Sequence, residues 1–309
     1  MQKIRIAILG FGKIAADQHV PAIEGNPRFE LVASSSRSGK GVGQTFTDWR
    51  ELIRSVDDLH AVAITTPPEP RYDIARECVV AGLHCLLEKP PTTGLSEIAD
   101  LACLAEAERP SLYATWHARH HPAVRAAAQA LAGKRIASMQ IIWHEDVNKW
   151  HPGQQWVWEP GGFGVFDPGI NAFSIATAIF PGGLLVKSAD LHVPQNAQTP
   201  IAADVVFHSP VADGPLSASL DWRRTEGEEW TISVKAADGT EVRLEDGGAT
   251  LILDDERQAE EGPGEYPDIY REFVDLIDSR KSNVDVGPLR LVADCLLAGR
   301  RHTVAPVNS

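Results

Sequence analysis

Hydrophobic and polar positions change their rhythm about a third of the way along the chain. The first part alternates short apolar runs with stretches of helical period. Candidate strands are Ile4–Leu9, Phe29–Ser34, Leu59–Thr65, His84–Leu87 and Ser111–Thr115. Helical candidates lie between them at Ile14–Glu24, Asp48–Val56, Arg71–Ala81 and Ser96–Glu106. Runs rich in Val, Ile, Leu and Ala without polar alternation are those of a parallel sheet covered on both faces. Their alternation with helices predicts a doubly wound α/β Rossmann domain.

Beyond about residue 118 the pattern is different. A helix is predicted at Pro122–Ala132 and a strand near Ile136–His144, followed by a Trp-, Pro- and Gly-rich loop. Another helix follows at Pro168–Phe180. Strand-like runs then occupy Leu185–Val193, Ala203–His208, Leu216–Trp222, Trp230–Ala236, Glu241–Glu245 and Thr250–Leu253. Asp-Gly pairs at 213–214, 238–239 and 246–247 separate several of them, as in antiparallel meanders. The end is again helical, at Tyr266–Arg280 and Pro288–Arg300. The expected architecture is therefore a Rossmann domain over 1–118 and an α+β domain over 119–309. The second carries a large, mostly antiparallel open sheet, and a C-terminal helix is able to return to the first domain.

Composition narrows the partners. The 309 residues carry 29 basic and 42 acidic side chains, a formal charge of −13, which disfavours nucleic acid or an anionic membrane. No apolar run reaches the roughly 18 residues that a membrane helix requires. Met1 leads into a charged strand without a signal-peptide pattern, so a cytoplasmic location is expected. Cys78, Cys85, Cys103 and Cys295 have neither disulfide-framework nor zinc spacing. They read as small buried hydrophobes, with no metal expected.

Several groups of residues suggest chemistry. Gly10-Phe11-Gly12-Lys13-Ile14-Ala15 follows the first strand and opens a helix. Gly10 suits a tight turn, Gly12 a close approach to pyrophosphate, and Ala15 close packing of helix on strand. The alternative is a turn that is structural only. The second strand ends in Ser34-Ser35-Ser36-Arg37-Ser38, with hydroxyls and a guanidinium but no carboxylate. That composition suits the 2′-phosphate of NADP, with NAD as the second cofactor; a solvated polar loop is the other reading. Glu88-Lys89-Pro90-Pro91 ends the fourth strand, where open parallel sheets bind ligands and Lys89 can project towards a nicotinamide.

A further group is aromatic. Five of the eight Trp and five of the eleven His lie between Trp116 and Trp158. A pyranose has a C–H face for stacking and hydroxyls that need directed partners, and such a cluster supplies both. Glu145, Trp150, His151 and His117 are the candidates, whereas His120, His121 and His144 read as structural. Asp167 and Asn171 are one helical turn apart on a helix whose first residue is predicted to be Pro168. Asp167 is either the helix N-cap or a general base.

The glycine fingerprint, the Glu-Lys-Pro after the fourth strand and the following antiparallel domain together resemble the glucose–fructose oxidoreductase, inositol dehydrogenase and rhizopine-catabolism family. Ala114–Arg119, Trp150–Trp156 and Gly164–Asn171 are similar to its bacterial branch that oxidises D-galactose and L-arabinose at C1. The resemblance implies NAD(P)-dependent oxidation of an aldopyranose (D-galactose, L-arabinose or D-fucose) to the aldonolactone. Catalysis would fall to Asp167, Lys89 and Asn171. Cofactor binding would fall to Gly10, Gly12, Lys13, Ile14, Ser36, Arg37, Thr66, Pro67, Glu88 and Lys89. Sugar binding would fall to His117, Glu145, Trp150, His151, Asp167 and Asn171.

The chain departs from a frequent pattern of that family in having Asn171 where His is common, so no carboxylate–imidazole relay is available at this pair. Two other readings are a glycosidase using bound NAD for transient oxidation and a sugar- or nucleotide-sensing regulator that has lost the chemistry. The regulator is disfavoured by the presence of both Lys89 and Asp167. Self-association as a dimer through the free face of the second sheet is also expected.

Overall fold

The computed structural model of the chain describes residues 3–259 and 262–307. It comprises two compact units. One contains the residues up to His117 together with Pro263–Val286, and the other contains Ala118–Gly262 and the residues from Gly287 onwards.

In the first unit, β1 (Ile4–Leu9), β2 (Phe29–Ser35), β3 (Gln44–Phe46), β4 (Ala61–Ile64), β5 (His84–Leu87) and β6 (Leu112–Ala114) form one sheet. Its order is β3-β2-β1-β4-β5-β6 and every neighbouring pair is parallel. The order reverses between β1 and β4, which is the switch point where such sheets hold ligands. Ile6, Ala7, Ile8 and Leu9 are all fully buried, so β1 is covered on both faces. The short edge strand β3 has no strong apolar run, and the sequence pattern does not predict it.

One face of this sheet is covered by a helix from the far end of the chain. Glu265–Ser279 presents Tyr266, Ile269, Tyr270, Phe273 and Val274 at helical spacing to Ile4, Ile6, Ile8, Phe29 and Tyr113. Phe273 stacks on Phe29 at 6.1 Å between ring centroids. The helix after the glycine turn lies in the same apolar cluster. It contains a π-helical turn at Ala15–His19 before continuing as Val20–Glu24, and that turn accommodates the buried side chain of His19.

The second unit contains β7 (Ile136–His144), β8 (Leu185–Pro194), β9 (Ala202–His208), β10 (Leu216–Asp221), β11 (Glu229–Ala236), β12 (Glu241–Glu245), β13 (Thr250–Leu253), β14 (Glu256–Arg257) and β15 (Arg300–Val304). They form one sheet in the order β14-β13-β12-β11-β7-β10-β9-β8-β15. Most pairs are antiparallel, whereas β7–β10 and β8–β15 are parallel. The last predicted helix ends at Ala298, and Arg300 instead starts β15. The partner of β15 is β8, far away in sequence, so no local signal announces it.

Register explains why this sheet is open on one side. Met139, Ile141 and Trp143 on β7 align with Leu216, Ala218 and Leu220 on β10, which align in turn with Phe207, Val205 and Ala203 on β9. All nine are buried, whereas Gln140, Ser217 and Ser219, offset by one residue, belong to the opposite face. Helix Phe166–Ile179 lies on the apolar face, where Phe173 meets Phe207 edge-on at 5.6 Å. A Cβ at Gly169 would come within 2.7 Å of Leu220, so a glycine there lets the helix approach the sheet.

His84 on β5 makes the first unit sensitive to acid. Its Nδ1 accepts a hydrogen bond from the Ser111 amide at 2.8 Å, which only the neutral tautomer allows. Burial, then the charges of Arg280 and His60, push its pKa down to about 4. An unfolded histidine titrates near 6.5, so between those values the unfolded chain binds the proton first. Stability is therefore full above about pH 6.5 and falls as pH drops towards 4. Urea unfolding at pH 7.5 and pH 5 is expected to show about 1 kcal/mol of loss from this partly solvated ring. His84→Asn, which keeps an acceptor and cannot titrate, should lose that much less.

Candidate active site

The glycine turn after β1 is shaped by two different constraints. Gly10 has a φ of +99°, and a Cβ there would lie 2.6 Å from the Thr66 amide nitrogen. This position has no room for a side chain. At Gly12 a Cβ would meet nothing closer than the Gly10 carbonyl at 3.9 Å. The protein leaves this space open at the entry to a helix, where a pyrophosphate would sit. The Gly10 and Phe11 amides both donate to the Ser35 carbonyl, at 3.0 and 2.8 Å, which ties the turn to the end of β2. Beside it, the Thr66 hydroxyl is buried with no hydrogen-bond partner among the described residues. These features fit a nicotinamide dinucleotide.

The other predicted cofactor residues are placed as follows. Ile14 is exposed at the start of the helix, Pro67 is exposed after β4, and Lys13 pairs with Asp17 on the helix surface. Ser36 donates to the Lys40 carbonyl at 2.7 Å and Arg37 is exposed beside it. The loop from Ser34 to Gly43 holds two cations and no carboxylate.

Glu88 is held by a network that local sequence does not announce. Its residue is only 5% exposed. Oε1 accepts from the Tyr266 hydroxyl at 2.7 Å and faces His19 Nε2 at 3.1 Å, while Oε2 accepts from the Lys89 amide at 2.8 Å. His19 Nδ1 in turn meets the Tyr270 hydroxyl at 2.7 Å. Burial alone would raise the Glu88 pKa, but the His19 bond and charge, with help from His117 and Tyr266, hold it well below the usual carboxylate range. Glu88 thus fixes the main chain from which Lys89 projects. The buried Arg71 adds to this by donating to the carbonyls of Thr66, Glu88 and Pro90.

His117, expected to touch sugar, is engaged within the first unit. Its Nδ1 lies 2.9 Å from Glu265 and its ring stacks on Tyr266 at 5.8 Å. Burial opposes its protonation, but the Glu265 hydrogen bond and the negative charges of Glu265 and Glu88 together outweigh this and raise its pKa.

In the second unit the ends of β7 and β10 and the start of β11 bring Glu145, Trp222 and Trp230 together. Glu145 is 5% exposed, and its two oxygens accept from Trp222 Nε1 at 3.0 Å and Trp230 Nε1 at 2.8 Å. This carboxylate orients indoles. The aromatic cluster continues outwards. Trp150 meets Trp230 edge-on at 5.7 Å, Trp158 meets Trp222 at 5.4 Å, and His151 lies 5.1 Å from Trp222. Trp150 keeps an exposed face while its Nε1 donates to Glu228 at 2.6 Å.

Asp167 is not the helix cap. The helix starts at Phe166 with Val165 at its N-cap, so Asp167 lies in the first turn and Pro168 is its third residue. The Asp167 residue is 5% exposed, and its Oδ2 lies 3.4 Å from His151 Nε2. One turn on, the Asn171 Oδ1 is buried with no hydrogen-bond partner among the described residues. A buried carboxylate and an unsatisfied amide oxygen on one helical face, close to tryptophans, suit a polyhydroxylated ligand.

Among the described residues no group of His, Cys, Asp or Glu side chains is placed to hold a metal ion, and no helix is long and apolar enough to cross a membrane. All four cysteines are free. Cys78, Cys85 and Cys295 are buried, but Cys103 is exposed, contrary to its reading as a buried hydrophobe.

The fold and the glycine turn define a class, and comparison with known proteins supports it. The family model for an oxidoreductase family with an NAD-binding Rossmann fold matches residues 4–115. The chain belongs to this glucose–fructose oxidoreductase, inositol dehydrogenase and rhizopine-catabolism family. It is 44% identical to galactose 1-dehydrogenase of Pseudomonas fluorescens, with 98% of each chain covered. A crystal structure of D-galactose-1-dehydrogenase from Rhizobium etli superposes with a TM-score of 0.94 at 44% identity, covering 100% of this chain and 99% of that one. A 3-ketoreductase from Actinomadura kijaniata shares the fold, with a TM-score of 0.81 at 18% identity over 98% of this chain and 100% of its own.

The two bonds at Glu145 allow a direct check. Glu145→Gln keeps the shape but leaves one buried indole N–H without an acceptor, at a cost of about 1–3 kcal/mol. A lower urea midpoint and altered tryptophan emission are expected. An unchanged midpoint would show that the bonds do not form.

Proposed function

We propose that the protein oxidises an aldopyranose (D-galactose, with L-arabinose and D-fucose as alternative substrates) at its anomeric carbon, forming the aldonolactone. The observation that carries this reading is the buried Asp167 with the unsatisfied oxygen of Asn171 one turn away, beside His151, which packs on Trp222. The 44% identity to galactose 1-dehydrogenase along nearly the whole chain supports it.

Asp167 takes the proton of the C1 hydroxyl. Lys89 orients that hydroxyl and stabilises negative charge as it develops on the oxygen. Asn171 Oδ1 accepts from a neighbouring hydroxyl, and the free face of Trp150 packs on the sugar C–H surface. A bound nicotinamide dinucleotide supplies the hydride acceptor. Galactose and arabinose have the same ring hydroxyl stereochemistry and differ by a hydroxymethyl group, so one site accepts both with a preference of about 1–3 kcal/mol. Glucose misplaces one hydroxyl against buried polar partners and is a poorer substrate.

NADP is the proposed preferred cofactor, with NAD accepted, because Ser36 and Arg37 supply donors at the end of β2 where no carboxylate is present.

Purified protein given D-galactose and NADP or NAD should form lactone and reduced cofactor in equal amounts. A protein that cleaves galactosides without net cofactor reduction would overturn this reading. Asp167→Ala is expected to lower kcat by roughly 10²- to 10⁴-fold, the usual contribution of a general base. Arg37→Ala should raise KM for NADP at least about tenfold, the effect of one lost charge-assisted bond, and leave NAD kinetics nearly unchanged.

A further inference from the structure

We infer that Tyr266 is a positioning residue for the proposed oxidation: its hydroxyl fixes the Glu88 carboxylate and, through it, the main chain at Lys89. This deepens the proposed function and rests on it for the role of Lys89.

Tyr266 is 3% exposed and meets three polar residues of the first unit. Its hydroxyl donates to Glu88 Oε1 at 2.7 Å. Its ring meets His19 edge-on at 5.0 Å between centroids and stacks on His117 at 5.8 Å, with 18° between the planes. The residue before it, Glu265, lies 2.9 Å from His117 Nδ1. Two consecutive residues at the start of one helix thus hold two residues, Glu88 and His117, that the sequence singles out for chemistry.

The helix that carries them is itself held by packing. Ile269, Tyr270, Phe273 and Val274 lie in the apolar cluster with Ile4, Ile6, Ile8 and Phe29. The Tyr266 hydroxyl is therefore presented from a fixed frame. Tyr270, one turn further on, supports the same carboxylate from its other neighbour. Its hydroxyl lies 2.7 Å from His19 Nδ1, and His19 Nε2 lies 3.1 Å from Glu88 Oε1.

The two oxygens of Glu88 do different work. Oε2 accepts from the Lys89 amide at 2.8 Å, so the carboxylate clamps the peptide N–H directly after its own residue. Oε1 is the end by which Tyr266 and His19 keep the carboxylate from turning about its side-chain torsions. Burial and the Glu88 charge push the Tyr266 pKa well above its ordinary value, so the phenol keeps its proton and remains a donor. A bond from a neutral hydroxyl to a carboxylate is charge-assisted and among the stronger kinds. If only aromatic bulk were needed in this cluster, phenylalanine would serve as well. In the proposed reaction Lys89 orients the C1 hydroxyl and stabilises its developing charge, which requires the chain beneath it to stay in place.

Tyr266→Phe keeps the ring and removes one O–H. It is expected to lower kcat on galactose roughly 10- to 100-fold, the cost of misplacing a reacting group by up to about 1 Å. KM for galactose and for NADP should each change less than about threefold, the split that marks an interaction used in the transition state. Glu88→Gln, with one acceptor oxygen where the carboxylate has two, should give the same pattern. A normal kcat in Tyr266→Phe, or a raised KM with normal kcat, overturns the assignment and leaves Tyr266 as a packing residue.

A second measurement needs no substrate. Hydrogen exchange at the Lys89 amide should be at least about tenfold faster in Tyr266→Phe than in the wild type, the effect of one lost charge-assisted bond. Thr65, whose amide donates to the Leu9 carbonyl at 2.8 Å in the sheet, should accelerate less. Unchanged exchange at Lys89, or equal acceleration at both amides, overturns the positioning role. Should the wild-type protein oxidise no sugar, the proposed function fails while the exchange rates still decide what Tyr266 holds.

Discussion

A carboxylate can leave water only if donors replace the hydration it gives up, and that constraint organises both units of this protein. In the first, Glu88 is buried at the carboxyl end of β5 and is satisfied by the Tyr266 hydroxyl, His19 and the Lys89 amide. Meeting those demands brings together the helix after the glycine turn, the end of β5 and a helix from the end of the chain. In the second unit, Glu145 plays the corresponding part with two indole N–H groups. Removing either charge would leave several elements without a common anchor.

Each anchor supports, within its own unit, residues proposed for the chemistry. The Glu88 network holds the backbone that carries Lys89, and the Glu145 bonds orient the tryptophans among which His151 and Trp150 stand. The groups proposed for the reaction, Lys89 in the first unit and Asp167 and Asn171 in the second, therefore project from supported main chain. Such supports allow a site to be complementary to developing charge without reorganising during the reaction. The Arg71 guanidinium, shared among the carbonyls that follow β4 and β5, adds to the same rigidity.

Much of the architecture is legible in local pattern. Apart from β3, the strands of the first sheet announce themselves as apolar runs, and the glycine turn lies between the right elements. Asp167 and Asn171 are marked by their spacing. The helix boundary departs from its local signal because Asp-Pro normally marks a cap; here Gly164 and Val165 start the helix earlier, and the carboxylate turns into the interior beside His151. Glu145, expected to reach sugar, has its oxygens met by tryptophans whose pattern signals only strands. His19 gives no signal beyond its place in a predicted helix.

Hydrophobic period and turn chemistry act over a few residues, and so the linear order of amino acids was sufficient to set most strands, most helices, the glycine fingerprint and the composition of the aromatic loop. What faces a buried polar atom depends on elements brought together from distant parts of the chain. Tyr266 reaches Glu88 across 178 residues and Trp230 reaches Glu145 across 85. The pairing of β15 with β8 and the meeting of His151 with Asp167 belong to the same category. Each is settled by the cost of leaving a donor, an acceptor or a strand edge unmatched once the chain is compact, a cost that has no counterpart in the extended sequence.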